Sequence, residues 1–242
     1  MKRFVTGTGT EIGKTYVTAT LASALARCGF RVAYYKPVQT GTDTDGPNAD
    51  AATVAAMAEA AGVGGSVTVQ TGLNFGPPVA PMVADPEGRH ISLDKARYDI
   101  AALEASHDVV LVEGAGGLMV PMTPTQTTMD WLGALDMPVL VVALSGLGTL
   151  NHTLLTLHQL DQQRIPIDGV VFNRYPANPH QAPLAVQTLL ETITPFLPPS
   201  ADPTRLWTCA EATPNASDAS GRLSPACLQH LISACRASTT AP

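Results

Sequence analysis

Charged residues are scarce in this chain. Asp, Glu, Lys and Arg make up only 14% of its 242 residues, while hydrophobic residues reach 45%. Disorder over the whole length needs the reverse balance and is excluded. Lys and Arg number 14 against 20 Asp and Glu, a formal charge of −6. With no basic run, the chain is a poor binder of nucleic acid or of an anionic membrane. An anionic ligand must therefore be held by a local site rather than by the field of the whole molecule. Cysteines are few: Cys28, Cys209, Cys227 and Cys235. None forms a C-x-x-C pair, which argues against a disulfide framework or a structural zinc site and for reduced thiols in a cytoplasmic protein. No apolar run reaches the length of a membrane span, and the one near the N-terminus is too short for a signal peptide. A chain of this length can bury roughly 70–75% of its unfolded surface without staples. It reads as a single domain over residues 1–242, with the last six residues lacking order.

The apolar segments alternate between two kinds. Phe4–Thr6, Arg31–Tyr35, Val109–Val112, Pro138–Leu144 and Gly169–Phe172 read as strands, apolar on both faces in the centre. Gly13–Cys28, Ala49–Ala61, Ser92–Ala105, Thr149–Gln162 and Ala182–Ile193 carry helical spacing, and Ser92 is placed as an N-cap. Gly62–Glu87 reads as loop with one weak strand near Val67–Val69. Past Pro195 the character changes: a polar stretch from Ala212 to Arg222 precedes an amphipathic helix, Pro225–Arg236. Buried strands alternating with helices imply an α/β fold, a mostly parallel sheet flanked by helices on both faces.

The strongest local signal is Gly7-Thr-Gly-Thr-Glu-Ile-Gly13-Lys14-Thr15, between a strand and a helix. Such a loop aims backbone N–H groups at a phosphate at the positive end of a helix dipole. Lys14 can then reach the β- and γ-phosphates, and the Thr15 hydroxyl can bind Mg²⁺. The loop is a variant of G-x-x-x-x-G-K-[ST]: position 8 is Thr, and the glycine stands one residue earlier. The alternative is a glycine turn that merely joins strand to helix.

Glu113 ends an apolar strand and is followed by Gly114-Ala115-Gly116-Gly117. A carboxylate at the carboxyl end of a parallel strand is placed to hold Mg²⁺ or its waters; otherwise it is an acid ahead of a glycine turn. Asp50 opens the alanine-rich helix, as a second metal carboxylate or as an ordinary first-turn acid. Lys36 stands at the end of the second strand, where it can stabilise developing negative charge or simply be solvated. Thr40 is a substrate contact by position. Gly148-Thr149-Leu150-Asn151 starts a helix whose free N–H groups can bind a carboxylate, and the neighbouring His152 reads as structural. Asn173 ends a strand, to read a nucleobase edge or to make a turn.

Together these segments resemble ATP-dependent dethiobiotin synthetases. The resembling pieces are Val-Thr-Gly-Thr-Gly-Thr-Glu-Ile-Gly-Lys-Thr at 5–15, Tyr-Lys-Pro-Val-Gln-Thr-Gly at 35–41 and Asn-Ala-Asp at 48–50. They continue with Pro-Val-Ala-Pro at 78–81, Val-Glu-Gly-Ala-Gly-Gly at 112–117 and Leu-Gly-Thr-Leu-Asn-His at 147–152. The resemblance implies a phosphate-loop nucleoside-triphosphatase fold and a homodimer that converts a diamino carboxylate, 7,8-diaminononanoate, with CO₂ and ATP. It implies Mg²⁺ on Thr15, Asp50 and Glu113, and catalysis by Lys14 and Lys36. Nucleotide contacts would come from Glu11, Ile12, Gly13, Lys14, Thr15, Tyr16, Asp50, Glu113, Gly114, Ala115, Gly116 and Asn173. Substrate contacts would come from Thr10, Thr40 and Gly148 to Asn151, the last group from the partner subunit. One departure stands out: the family's adenine-lining Gly-x-x-Pro, after the last strand, has as its comparable stretch Thr204-Arg205-Leu206-Trp207-Thr208.

Two other functions share this architecture. A switch ATPase of the chromosome-partitioning kind carries a lysine five residues before the Gly-Lys lysine, where this chain has Gly9. A cobyrinate-type amide ligase usually carries a glutaminase domain with a nucleophilic cysteine, for which this chain has neither the length nor the motif.

Overall fold

A computed structural model describes residues 1–42, 49–211 and 222–239. In chain order the elements begin β1 (Lys2–Gly7), α1 (Lys14–Arg27), β2 (Val32–Thr40), α2 (Asp50–Ala60), β3 (Val67–Phe75), α3 (Pro81–Ala84), α4 (Leu93–Glu104) and β4 (Val109–Glu113). A small hairpin follows, β5 (Pro121–Thr123) with β6 (Gln126–Thr127), then α5 (Thr128–Leu135), β7 (Val139–Leu144) and α6 (Thr149–Gln162). The chain continues with β8 (Ile167–Tyr175), α7 (Leu184–Gln187), α8 (Leu189–Ile193), β9 (Leu206–Ala210) and α9 (Pro225–Thr239). Seven strands form one sheet in the order β3-β2-β4-β1-β7-β8-β9. Every pairing in it is parallel.

The strands are apolar on both faces because both faces are covered. On one face Val110 and Val112 pack with Ile100, Leu103, Trp131 and Leu157, from α4, α5 and α6. On the other, Val109 and Leu111 pack with Val17, Leu21 and Leu25 of α1 and Leu231 of α9. The period-two alternation along β4 thus feeds two separate cores.

Several elements depart from the sequence reading. β2 does not stop at Lys36-Pro37 but runs on to Thr40. Its pairing with β4 ends at Tyr35↔Val112, so beyond that point it bonds only β3. Such an edge tolerates a proline without an N–H. β3 is nine residues long rather than a weak strand at Val67–Val69. It is an edge strand of intermediate burial, and its apolar residues Val67, Val69, Leu73 and Phe75 alternate with polar residues and Gly72 instead of forming the continuous apolar run of the central strands. Helix α5 escaped the reading, although Thr127 and Asp130 form a reciprocal capping box ahead of Trp131 and Leu132, a pattern visible in sequence. The 182–193 helix is two short pieces, α7 and α8. Ser92 caps α4 as expected, accepting from the Lys95 N–H at 3.3 Å.

The strand ending at Asn173 continues to Tyr175, and β9 follows it. This corrects the placing of 204–208: that stretch is largely β9 itself, entering the sheet, and the segment beyond the last strand starts at Glu211. α9 continues to Thr239, further than Arg236. Asn48, the polar stretch at 212–221 and residues 240–242 lie outside the described residues.

β8 and β9 meet closely at Gly169. A Cβ there would stand 2.4 Å from Cζ3 of Trp207 and 2.9 Å from the Arg205 carbonyl. Gly169→Ala is expected to lose ~1–3 kcal/mol by overpacking. Gly133, exposed within α5, has nothing within 4 Å of the same position. Gly133→Ala is expected to gain ~0.5–1 kcal/mol from helix propensity. Urea unfolding of the two variants measures both, and equal shifts would contradict this account.

Candidate active site

All seven strands of the sheet run the same way, so β1, β2, β4, β7 and β8 deliver their carboxyl ends to one edge, where α/β sheets bind ligands. The register does the first part of the assembly. Val5 of β1 lies beside Glu113 of β4, and Tyr35 of β2 beside Val112. Lys36 is therefore level with Glu113, inside β2 rather than at its end.

Glu113 is fully buried. Its Oε1 accepts from Lys36 Nζ at 3.0 Å and from Thr15 Oγ1 at 2.8 Å. Its Oε2 accepts from the Tyr34 hydroxyl at 3.3 Å. Three donors around one buried carboxylate are what keeps a charge tolerable there. Tyr34 was not read from sequence, yet it stands two residues from Lys36 and so projects from the same face of β2. Burial, then the Glu113 and Asp50 carboxylates, hold the Tyr34 phenol well above its ordinary range. Asp50, the first residue of α2, is the second partner of the Lys36 ammonium. For Lys36, burial pulls the pKa down, but Glu113 and Asp50 outweigh it and the net direction is up, so the lysine is held charged.

Lys14 leads α1 and folds back so that Nζ donates to the Gly9 carbonyl at 2.9 Å. Burial is the main cause that pushes its pKa down to about 8; Lys36 adds to this, while Glu113 and Asp50 oppose it. The Lys14 amine is thus buried within the loop. The loop itself depends on Gly13, whose φ is 86° and whose added Cβ would stand 2.1 Å from Asn173 Nδ2. Gly116, at φ 64°, leaves only 2.6 Å between such a Cβ and Val120. The same position on Gly116 is 3.6 Å from Thr10 Oγ1, so Gly114-Ala115-Gly116-Gly117 and the phosphate loop face each other.

Asn173 is buried, and its amide donates to the Ile12 carbonyl at 2.9 Å. The next residue, Arg174, has φ 53° and donates from Nη2 to the Glu11 carbonyl at 3.1 Å. The end of β8 therefore braces the loop by two consecutive carbonyls, a role for Arg174 that the sequence did not signal. Thr10 and Glu11 are exposed on the loop, and Thr40 is half-buried at the end of β2. Gly148, at φ 89°, caps α6 on the same edge, across β7. There Thr149 N–H donates to the Gly146 carbonyl at 3.3 Å, Thr149 is buried and Asn151 exposed. Lys14, Thr15, Lys36, Asp50 and Glu113 are thus brought into one charged cluster, Asn173 joins it through the loop, and 148–151 forms a neighbouring patch.

A phosphate loop at the head of α1, a hydroxyl and two carboxylates beside it and a parallel sheet behind it define a phosphate-loop nucleoside-triphosphatase fold. A family model described as an AAA domain matches residues 2–197. An ATP-dependent dethiobiotin synthetase from Anaeromyxobacter dehalogenans is 43% identical over 172 residues, 71% of this chain and 75% of that protein. The synthetase of Mycobacteroides abscessus is 41% identical over 181 residues, 74% and 76% of the two chains. In fold, the chain is similar to the MinC:MinD cell division complex of Aquifex aeolicus, with TM-score 0.56 and 14% identity, covering 100% of this chain and 96% of that one. It is likewise similar to a ParA family ATPase of Chlorobium tepidum, with TM-score 0.54 and 13% identity over 95% and 97% of the chains. The chain belongs to the ATP-dependent dethiobiotin synthetase family. Among the described residues, no helix is long and apolar enough to cross a membrane.

Proposed function

We propose that this protein makes dethiobiotin from 7,8-diaminononanoate, CO₂ and ATP, releasing ADP and phosphate. In the reading we favour, one amine of the substrate adds to CO₂ and loses a proton, giving a carbamate. The carbamate oxygen attacks the γ-phosphorus of ATP, the bond to ADP breaks and a carbamic-phosphoric anhydride forms. The second amine attacks the carbamoyl carbon, phosphate leaves with the bonding pair, and the loss of the amine proton completes a cyclic urea. The observation that carries this reading is the second buried lysine. A phosphate loop needs only Lys14 for its nucleotide, and here Lys36 is held charged beside it by Glu113 and Asp50. That leaves one cation for the phosphoryl group and one for an anionic acceptor.

Asp50 and Glu113 are two hard oxygen donors already gathered around a cation, the Lys36 ammonium, and Thr15 Oγ1 adds a third beside Glu113 Oε1, 2.8 Å away. Such a set fits Mg²⁺, which takes one or two carboxylates and keeps several waters. When bound, Mg²⁺ neutralises charge on the β- and γ-phosphate oxygens. Glu113→Ala and Asp50→Ala are each expected to raise the Mg²⁺ needed for half-maximal rate more than they raise the KM of the diamine. A Mg²⁺ titration unchanged in both single variants would reject these residues as the metal site.

Thr10 and Thr40 are assigned to the diamine or its carbamate, and the N–H groups of Gly148 to Asn151 to its carboxylate, supplied across a homodimer interface. Leu147, 96% exposed just before α6, and Leu155, 63% exposed on it, are large apolar side chains that such an interface would bury. Mixing Lys14→Ala chains with Asn151→Pro chains, the proline removing one N–H in a helical first turn, tests it. In a 1:1 mixture about a quarter of the sites escape both lesions. Activity that stays at the level of the separate variants means that each chain builds its own site.

The function as a whole is tested by phosphate release with and without the diamine and bicarbonate, with the product identified by mass. ATP hydrolysis unmoved by either addition would point instead to a switch ATPase.

A further inference from the structure

The C-terminal segment carries a cation that the proposed reaction leaves unused. The site has a direction. Lys36, Asp50 and Glu113 lie on the β2–β4 side of β1, whereas β7, β8 and β9 lie on the other. The phosphate-loop lysine reaches the β- and γ-phosphates, so the γ end of a bound triphosphate belongs on the β2–β4 side. Its α-phosphate and sugar must then leave the loop toward β8 and β9.

On that side stands Tyr16, one residue beyond Thr15, its Cβ 3.9 Å from a Cβ built on Gly13. Arg222 Nη1 donates to the Tyr16 hydroxyl, and the guanidinium carbon lies 5.8 Å from the centre of the ring. Arg222 is fixed in place from behind. Leu223 bridges to Cys209 of β9, and Ser224 N–H donates to the Thr208 carbonyl at 2.9 Å. The arginine also falls beyond residue 197, where the family model ends.

We propose that Arg222, seated on Tyr16, walls the nucleoside end of the nucleotide site and sets its affinity for ATP. The inference rests on the phosphate-loop reading above. A guanidinium offers a fork of donors to phosphate or ribose oxygens. In a chain of net charge −6, such a fixed cation is a local means of holding an anion. The role is one of positioning and affinity, remote from the transferred phosphoryl group.

The test compares MgATP with magnesium tripolyphosphate, which fills the loop but has no nucleoside, by calorimetric titration. Arg222→Ala and Arg222→Gln, the second keeping a donor for Tyr16, are expected to weaken ATP binding about tenfold. Tripolyphosphate binding should change by less than about twofold, since its contacts lie in the loop. Unchanged ATP affinity in both variants overturns the proposal, even if their melting temperatures fall, because Arg222 then only pins the tail. Parallel weakening of both ligands overturns it too, because the effect then passes through a deformed loop. If the wild-type protein binds neither ligand, the phosphate-loop reading fails and this inference fails with it.

Discussion

Lys14→Ala is expected to lower turnover about 10²–10³-fold, the usual loss for one electrostatic contact made to developing charge, while the fold survives. In phosphoryl transfer the protein contributes mainly position and charge. Lys14 is buried at the head of α1, and its ammonium donates to the Gly9 carbonyl. Burial has already depressed its pKa to about 8, so its charge is poorly compensated before a triphosphate arrives. Removing it therefore costs the free protein little and the nucleotide complex much. Gly9 is half-exposed, and its carbonyl can take water instead. The melting temperature should stay close to that of the wild type. A variant retaining more than half of the wild-type rate would reject the phosphate-loop assignment.

Lys36→Met should behave differently, because this lysine is compensated already. It sits between Asp50 and Glu113, with its side chain 7% exposed. Breaking a buried pair by removing one partner typically costs ~3–5 kcal/mol, so this variant should melt earlier, unlike Lys14→Ala. On the proposed chemistry its catalytic defect is also distinct. An anionic carbamate must approach a negative γ-phosphate. Two like charges at ~4 Å repel by ~1 kcal/mol in water and ~4 kcal/mol at an effective dielectric near 20. A cation between them removes much of that penalty. Below its melting transition, the variant should bind MgATP nearly as well as the wild type. Phosphate release that depends on diamine and bicarbonate should fall by ~10²-fold or more. ATP titration and product formation on the same preparation decide the matter. Collapsed ATP affinity with normal turnover at saturating ATP would make Lys36 a nucleotide ligand only. No change in either would make it a solvated lysine, at odds with its burial.

What the sequence determined by itself is local. Gly7 to Thr15 declares a phosphate loop because glycines, a lysine and a hydroxyl within nine residues constrain one turn and one helix start. Thr149–Gln162 is a helix in sequence and in structure with the same limits, since apolar spacing and the glycine before it act within a few residues. Glu113 marks a strand end for the same reason. The tertiary structure alone decided which distant groups share the site. Lys36 and Glu113 are 77 residues apart, Asn173 and Ile12 161, Arg222 and Tyr16 206. Their meeting depends on sheet order and register, which are set by the packing of all seven strands between two helical layers and leave no trace at any one position. β9 and β3 were poorly legible for a related reason. Both alternate, β3 through Val67, Val69, Leu73 and Phe75 and β9 through the buried Trp207 and Cys209, but neither is continuously apolar like the central strands, and pairing with β2 and β8 makes them strands. Arg222 shows the limit most clearly: in the sequence it is one arginine in a polar tail, and it acquires a place beside Tyr16 only because β9 brings the chain back to α1.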